Sequence, residues 1–399
     1  MKDFSWPVEA FNELEYKKFT SVMNAVKGEM KGKPIYIFGA GIRGCTFLKF
    51  CNMQNINISG FIDNDINKKD GCIGEYLIYT LEDILGKEKV FYVVISTETY
   101  LPIVQQLEKK GLIQERDFVF IEASIYNLFV HKFFSPKKKY LFLGDCIFSQ
   151  VAVRDSVFNS LETMICDKLG ENNVKVLGMH GMPIRTFYHL CRIQTRMGYV
   201  PEKVVLVVNT VMFTGKKNQL PRAQHTVLLQ QIQKKMQYED KEFKDYIQLT
   251  KERTERFRTD AFIESDQNVR NRNSERISKL RMRLNYMYDL DENEEGIIYL
   301  KKMADFCEKN SIEFIPFLPP VNFEYGVELF GNLFEEKYAE NVEKIKKLLK
   351  KENDIEVVDA GHLLNRSEFA SDNTINEISN YDGRCKEAEF IKNICMGEE

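Results

Sequence analysis

Twice along this chain a short apolar run ends in a turn built on glycine and gives way to a helical pattern. Ile35-Tyr36-Ile37-Phe38 runs into Gly39-Ala40-Gly41-Ile42-Arg43-Gly44, and Tyr140-Leu141-Phe142-Leu143 runs into Gly144-Asp145-Cys146. Bulky apolar strands of this kind are covered on both faces, as in parallel sheets joined by right-handed crossovers. The rhythm continues around each turn. In the first half it predicts strands at Ile56–Ile62, Val90–Ser96 and Asp117–Ile121, with helices at 8–31, Cys45–Met53, near Leu81–Leu85 and at Tyr100–Lys110. In the second it predicts a helix over Phe148–Gly170 directly after the turn. Strands at Val174–Leu177, Val204–Val208, Ile312–Leu318 and Ile355–Val358 follow, among helices at Ile184–Met197, 334–351 and Arg384–Ile394. The fold class is α/β, with two parallel-sheet three-layer domains.

A chain of 399 residues can bury two such cores. The break is expected across 122–138, where Pro136 and Lys137-Lys138-Lys139 interrupt the pattern. This gives one domain over 1–130 and a second over 138–399. From about 222 to 310 charges at helical spacing dominate. That stretch reads as a helical insertion in the second domain, its helices solvated and amphipathic, or alternatively a surface for a partner.

The formal net charge of −3 argues against a general electrostatic grip on nucleic acid. No run reaches the roughly 18–20 apolar residues of a membrane-spanning helix, and the N-terminus lacks the basic start and apolar run of a secretory signal. The expectation is a cytoplasmic protein. Its nine cysteines are scattered without a Cys-x-x-Cys pair, so neither a zinc ribbon nor a small disulfide scaffold is expected and no metal ligand is assigned.

The first turn has the Gly39-x-Gly41-x-x-Gly44 spacing between a strand and a helix. In such a turn the first glycine permits the bend, the second lets backbone approach a pyrophosphate, and the third lets helix and strand pack closely. The helix start offers free N–H groups to the anion. Asp63 ends the next strand, where an acid can hold ribose hydroxyls. Residues 34–121, through Phe38-Gly39-Ala40-Gly41-x-x-Gly44, Gly60-Phe61-Ile62-Asp63-Asn64-Asp65 and Ile95-Ser96-Thr97, resemble the Rossmann-like nucleotide-binding domain of bacterial polysaccharide-biosynthesis proteins. The resemblance implies a nucleotide sugar or a dinucleotide as ligand. It does not imply a nicotinamide cofactor, since no residue for hydride transfer is visible.

The second turn places Cys146 where backbone N–H groups and a helix dipole stabilise a thiolate and an oxyanion. Residues 140–399 resemble the SGNH (GDSL-like) hydrolases, a flavodoxin-like fold of esterases, lipases and carbohydrate acyl-modifying enzymes. The resemblance puts Cys146 at the nucleophile position. Its oxyanion glycine is Gly178 or Gly181, and its asparagine is Asn209. The family's closing Asp-x-x-His falls on Asp382 and Cys385 in one register, and puts Ile378 at the histidine position when Gly383 is aligned instead. Neither register supplies a histidine. Among the five histidines His180 is the first candidate base and His362 the second, with Asp382 the carboxylate alternative. Arg185 and Arg222 could bind an anionic substrate.

The reading implied is an esterase or acyltransferase acting on a carbohydrate or sugar-nucleotide in surface-polysaccharide biosynthesis. The alternative is a catalytically degenerate nucleotide-sugar-binding or scaffold protein of the same pathway. Partners implied are a small-molecule or glycan substrate and other glycan-biosynthesis proteins.

Overall fold

A computed structural model of the protein describes residues 2–6, 8–97, 100–121, 125–179, 181–213, 223–249, 275–374 and 378–398. These fall into two compact units, Met1–Ile125 and the described residues from Tyr126 onward.

The first unit holds a six-stranded sheet. Ile35–Phe38 lies between Gly60–Ile62 and Tyr92–Ile95, parallel to both. Tyr76–Tyr79 pairs in parallel outside Gly60–Ile62, and Phe118–Phe120 outside Tyr92–Ile95. Numbered in chain order, these five strands run 3-2-1-4-5. The order reverses between Ile35–Phe38 and Tyr92–Ile95. Tyr36, Phe38, Val93 and Ile95 pack with Leu81, Ile84, Ile103 and Leu107 of the covering helices. Cys72–Ile73 adds an antiparallel edge.

The second unit holds a five-stranded parallel sheet. Tyr140–Gly144 lies between Val174–Gly178 and Lys203–Val207, and Glu313–Leu318 and Val358–Asp359 follow outward. The order is 2-1-3-4-5, with the reversal between Tyr140–Gly144 and Lys203–Val207. Phe142, Val176, Val205 and Phe317 form one core with Leu161, Ile165, Ala388 and Ile391. Open parallel sheets bind ligands beyond the carboxyl ends of their strands at such a reversal. Each glycine turn stands at that place in its own sheet.

Several expected elements are corrected. The first helix runs over Glu13–Met30 rather than 8–31. Ala10–Asn12 is extended, and the Asn12 side chain caps the helix by accepting from Leu14 N and Glu15 N. Ile56–Ile62 shrinks to Gly60–Ile62. Cys72–Ile73 and Tyr76–Tyr79 form a short antiparallel pair, and Tyr76–Tyr79 is held in parallel by Gly60–Ile62.

The larger correction concerns Phe148–Gly170. Cys146–Phe148 is a single 3-10 turn, Gln150–Ala152 is extended, and the helix spans only Leu161–Leu169. Ser160 caps that helix, accepting from Thr163 N at 3.3 Å. Cys146 therefore heads one turn and not a long helix, and the helix dipole expected behind it is reduced to that of a single turn.

The charged insertion is helical at Ala223–Met236, 241–249, Glu275–Tyr286 and Glu295–Lys309. No described helix is long and apolar enough to cross a membrane.

One buried charge ties a helix to the sheet. Lys175 is 5 % exposed, and its ammonium donates to Ser135 O at 2.7 Å and Gln194 Oε1 at 3.0 Å. Burial, with Lys138 nearby, pushes it from 10.5 down to about 8. Between those values the unfolded chain holds a proton that the folded chain has lost, so this group makes stability rise with pH across about 8 to 10.5. Relative to Lys175→Met, wild type is expected to gain on the order of 2 kcal/mol between pH 7.5 and 10.5 in urea denaturation.

Candidate functional site

In the first unit the glycines divide by what they touch. Gly39 has φ +117°, and a Cβ there would meet Ser96 O at 2.9 Å. A Cβ on Gly44 would stand 1.9 Å from Gly39 O. Both are required by packing. A Cβ on Gly41 would meet nothing within 4 Å. That position faces open space at the start of the helix Ile42–Met53.

Asp63 behaves differently from a free ribose ligand. Its Oδ2 accepts from Ala40 N at 2.8 Å and from Lys68 Nζ at 3.0 Å, while Oδ1 accepts from Asp65 N at 2.9 Å. Lys68 also donates to Ala40 O at 3.1 Å. Asp63 thus braces the glycine turn from the neighbouring strand. Lys68 brings a cation to the same turn, and sequence reading missed it. The signal available was only the chain of polar residues after Asp63. Arg43 is paired with Glu15 at 2.9 Å.

In the second unit, Gly144 and Gly178 face each other in register at the strand ends. A Cβ on Gly178 would lie 2.5 Å from Gly144 O, and one on Gly144 would lie 2.5 Å from the Phe148 ring. These residues hold the backbones close where Cys146, half-buried, leaves the strand. Asn209 follows the strand on the other side of the reversal and is 4 % exposed. Its Nδ2 donates to Asp145 Oδ2 at 3.3 Å, and its Oδ1 accepts from Val211 N at 3.1 Å. Asp145 Oδ1 accepts from Ile147 N at 3.2 Å. A buried carboxylate therefore bridges the thiol turn to the asparagine turn. Asp145, read in the sequence only as part of a motif, is the residue that joins the two loops.

Gly181 sits at φ +64° in the turn before the helix Ile184–Arg196. Asn209 and Thr210 line, with Tyr286, Leu318, Pro319 and Tyr338, a crevice too narrow to admit a water molecule.

The remaining expected residues fall in several places. His180 and Arg222 lie outside the described residues. His362 is exposed and stacks on Phe323, ring centroids 3.7 Å apart. Arg185 is held by Glu295 at 2.5 Å and lies over the Tyr246 ring, so it is engaged within the fold rather than offered to an anion. Asp382 is exposed in the first turn of the last helix, Tyr381–Met396. Ile378 is buried. Gly383 has a packing reason of its own, since a Cβ would meet Glu368 O at 2.4 Å.

A buried ion pair also lies here. Arg384, 1 % exposed, meets Asp155 Oδ2 at 2.7 Å and donates to Asn159 O at 2.9 Å and Ser379 O at 2.7 Å. Asp155 Oδ1 accepts from Tyr381 N at 3.0 Å. The loop following the thiol turn is thereby clamped to the start of the last helix.

No family model matches this chain. No curated protein matches it either. Among solved structures, one described as "a putative GDSL-like lipase", from Parabacteroides merdae, is similar with a TM-score of 0.32 at 10 % identity. The match covers 66 % of this chain and 98 % of that one. A likeness of that size carries no argument, and the functional reading rests on the geometry of the two turns.

Proposed function

We propose that the second unit is a flavodoxin-like, SGNH-type site for acyl-ester chemistry on a carbohydrate or sugar-nucleotide. Cys146 is its nucleophile. The observation that carries this reading is the bridge Cys146 turn–Asp145–Asn209 at the sheet's reversal. The Cys146 sulfur attacks the acyl carbonyl, and the alcohol leaves with a proton. The thioester then passes its acyl group to water or to a second hydroxyl. The second N–H of the Asn209 amide and a backbone N–H at Gly178 or Gly181 serve the oxyanion. His180 or Asp382 is the base.

The first unit, in this reading, is a Rossmann-like domain for a nucleotide sugar or a dinucleotide. The open Gly41 supports a backbone approach to the pyrophosphate. Together the two units serve surface-polysaccharide biosynthesis.

A thiol-directed acyl probe tests the nucleophile. Cys146→Ala and Cys146→Ser are each expected to lower labelling and p-nitrophenyl acetate turnover at least 100-fold. Labelling that persists in both variants sinks the reading.

A second reading is a binding site without turnover, in the same pathway. It is favoured by buried Ile378 and by the Arg384–Asp155 pair at the start of the last helix, where the resemblance expects the base and its orienter. Ligand binding that survives in Cys146→Ala, with no turnover in wild type, is its expected signature.

A further inference from the structure

Away from both turns, one cluster in the second unit has a chemistry that neither reading uses. His189 lies on the helix Ile184–Arg196 and is 0 % exposed. It packs against Phe243, Tyr246 and Tyr299, with ring centroids 5.2, 5.2 and 6.1 Å away. Neither of its ring nitrogens has a hydrogen-bond partner. Buried polar atoms are nearly always satisfied, so an imidazole with both nitrogens idle in an aromatic setting needs an explanation.

Two carboxylates supply one. Asp240 and Glu242 stand at the start of the helix 241–249, and one ligand atom from each lies within 4.8 Å of the other and of a His189 nitrogen. Both carboxylates are partly exposed, which leaves a way in from solvent. At present they are neutralised by the chain's own cations. Arg192 reaches Asp240 at 2.7 Å and Glu242 at 3.1 Å, and Lys302 reaches Glu242 at 2.7 Å. Tyr299 also donates to Glu242, at 2.9 Å.

We propose that His189, Asp240 and Glu242 form a binding site for one divalent transition-metal cation. One imidazole nitrogen and two carboxylate oxygens are a donor set for manganese, iron or zinc, with bonds of about 2.0–2.2 Å after small side-chain rotations. The ion takes the place that Arg192 and Lys302 hold on the carboxylates, and it satisfies one idle ring nitrogen. It exchanges with two tethered cations, so removing one of them strengthens the site.

Manganese is the probe, because it avoids the nine cysteines that would take up zinc or cobalt. Mn2+ is titrated into the full chain and the free ion is followed by its electron paramagnetic resonance signal. One bound ion is expected. His189→Gln and Asp240→Asn are each expected to weaken it at least tenfold. Asparagine keeps the cap that Asp240 provides to Phe243 N, so that variant remains informative should the buried His189→Gln not fold. Arg192→Gln is expected to tighten binding several-fold. No bound ion at millimolar Mn2+, equal affinity in Asp240→Asn, or weaker binding in Arg192→Gln overturns the site. None of these readouts depends on Cys146, so this test and that of the acyl-ester reading fail separately.

Discussion

Replacing Arg384 by methionine is expected to cost the second unit about 3–5 kcal/mol, read as a lowered urea midpoint. Removing one partner of a buried ion pair leaves the other charge dry and unpaired. Here Asp155 is 3 % exposed at its side chain, and two carbonyls, Asn159 O and Ser379 O, lose their donor as well. Asp155→Leu with Arg384→Met removes both charges, and is expected to recover more than half of the loss, since apolar replacement of a whole pair is often near neutral. An Arg384→Met variant within 1 kcal/mol of wild type would show that water reaches the pair. The cost has a functional side. The pair ties the loop after Cys146 to the start of the last helix, so the single variant is also expected to slow acyl labelling of Cys146 in samples that remain folded.

The second large effect separates glycines that look alike in sequence. Gly44→Ala is expected to cost about 3 kcal/mol or more, because its Cβ would stand 1.9 Å from a backbone carbonyl that cannot move without shifting the strand. Gly41→Ala is expected to stay within about 1 kcal/mol of wild type. Its backbone, at φ −128°, suits any residue, and its Cβ enters open space. If a pyrophosphate approaches there, the same methyl group stands in its way. Calorimetric titration with a nucleotide diphosphate sugar and with a nicotinamide dinucleotide is then expected to show at least tenfold weaker binding of the accepted ligand in Gly41→Ala. Binding unchanged by Gly41→Ala would remove the backbone approach to the diphosphate from the proposal.

Sequence reading succeeded where a signal is local. Ile35–Phe38, Tyr140–Gly144 and Lys203–Val207 are strands because bulky, β-branched and aromatic runs bounded by glycine or asparagine have little other use. It failed between Phe148 and Gly170. Apolar residues there recur at spacings a helix would tolerate, but Ser160 caps a late start and the preceding residues are drawn into a strand and a loop. The candidate site was legible in part for the same reason. Cys146 and Asn209 stand out as candidates because each lies two residues past a strand, where the resemblance expects the nucleophile and the oxyanion asparagine. Asp145's role as a bridge was not, because it depends on a contact 64 positions along the chain.

The amino-acid sequence by itself determined the α/β rhythm, the two glycine turns and the positions of Cys146, Asn209 and Asp63 at strand ends. Those follow from side-chain bulk and from turn chemistry, which act over a few residues. Strand order, and hence the sheet reversal beside each turn, was decided only in three dimensions. So were the engagement of Asp63 by Ala40 N and Lys68, the burial of Arg384 with Asp155, and the meeting of His189 with Asp240 and Glu242. Apart from the Asp63–Lys68 contact, each joins segments far apart in the chain. Which polar group finds which partner is set by how the helices close over the sheet, and burial then makes that pairing costly to break.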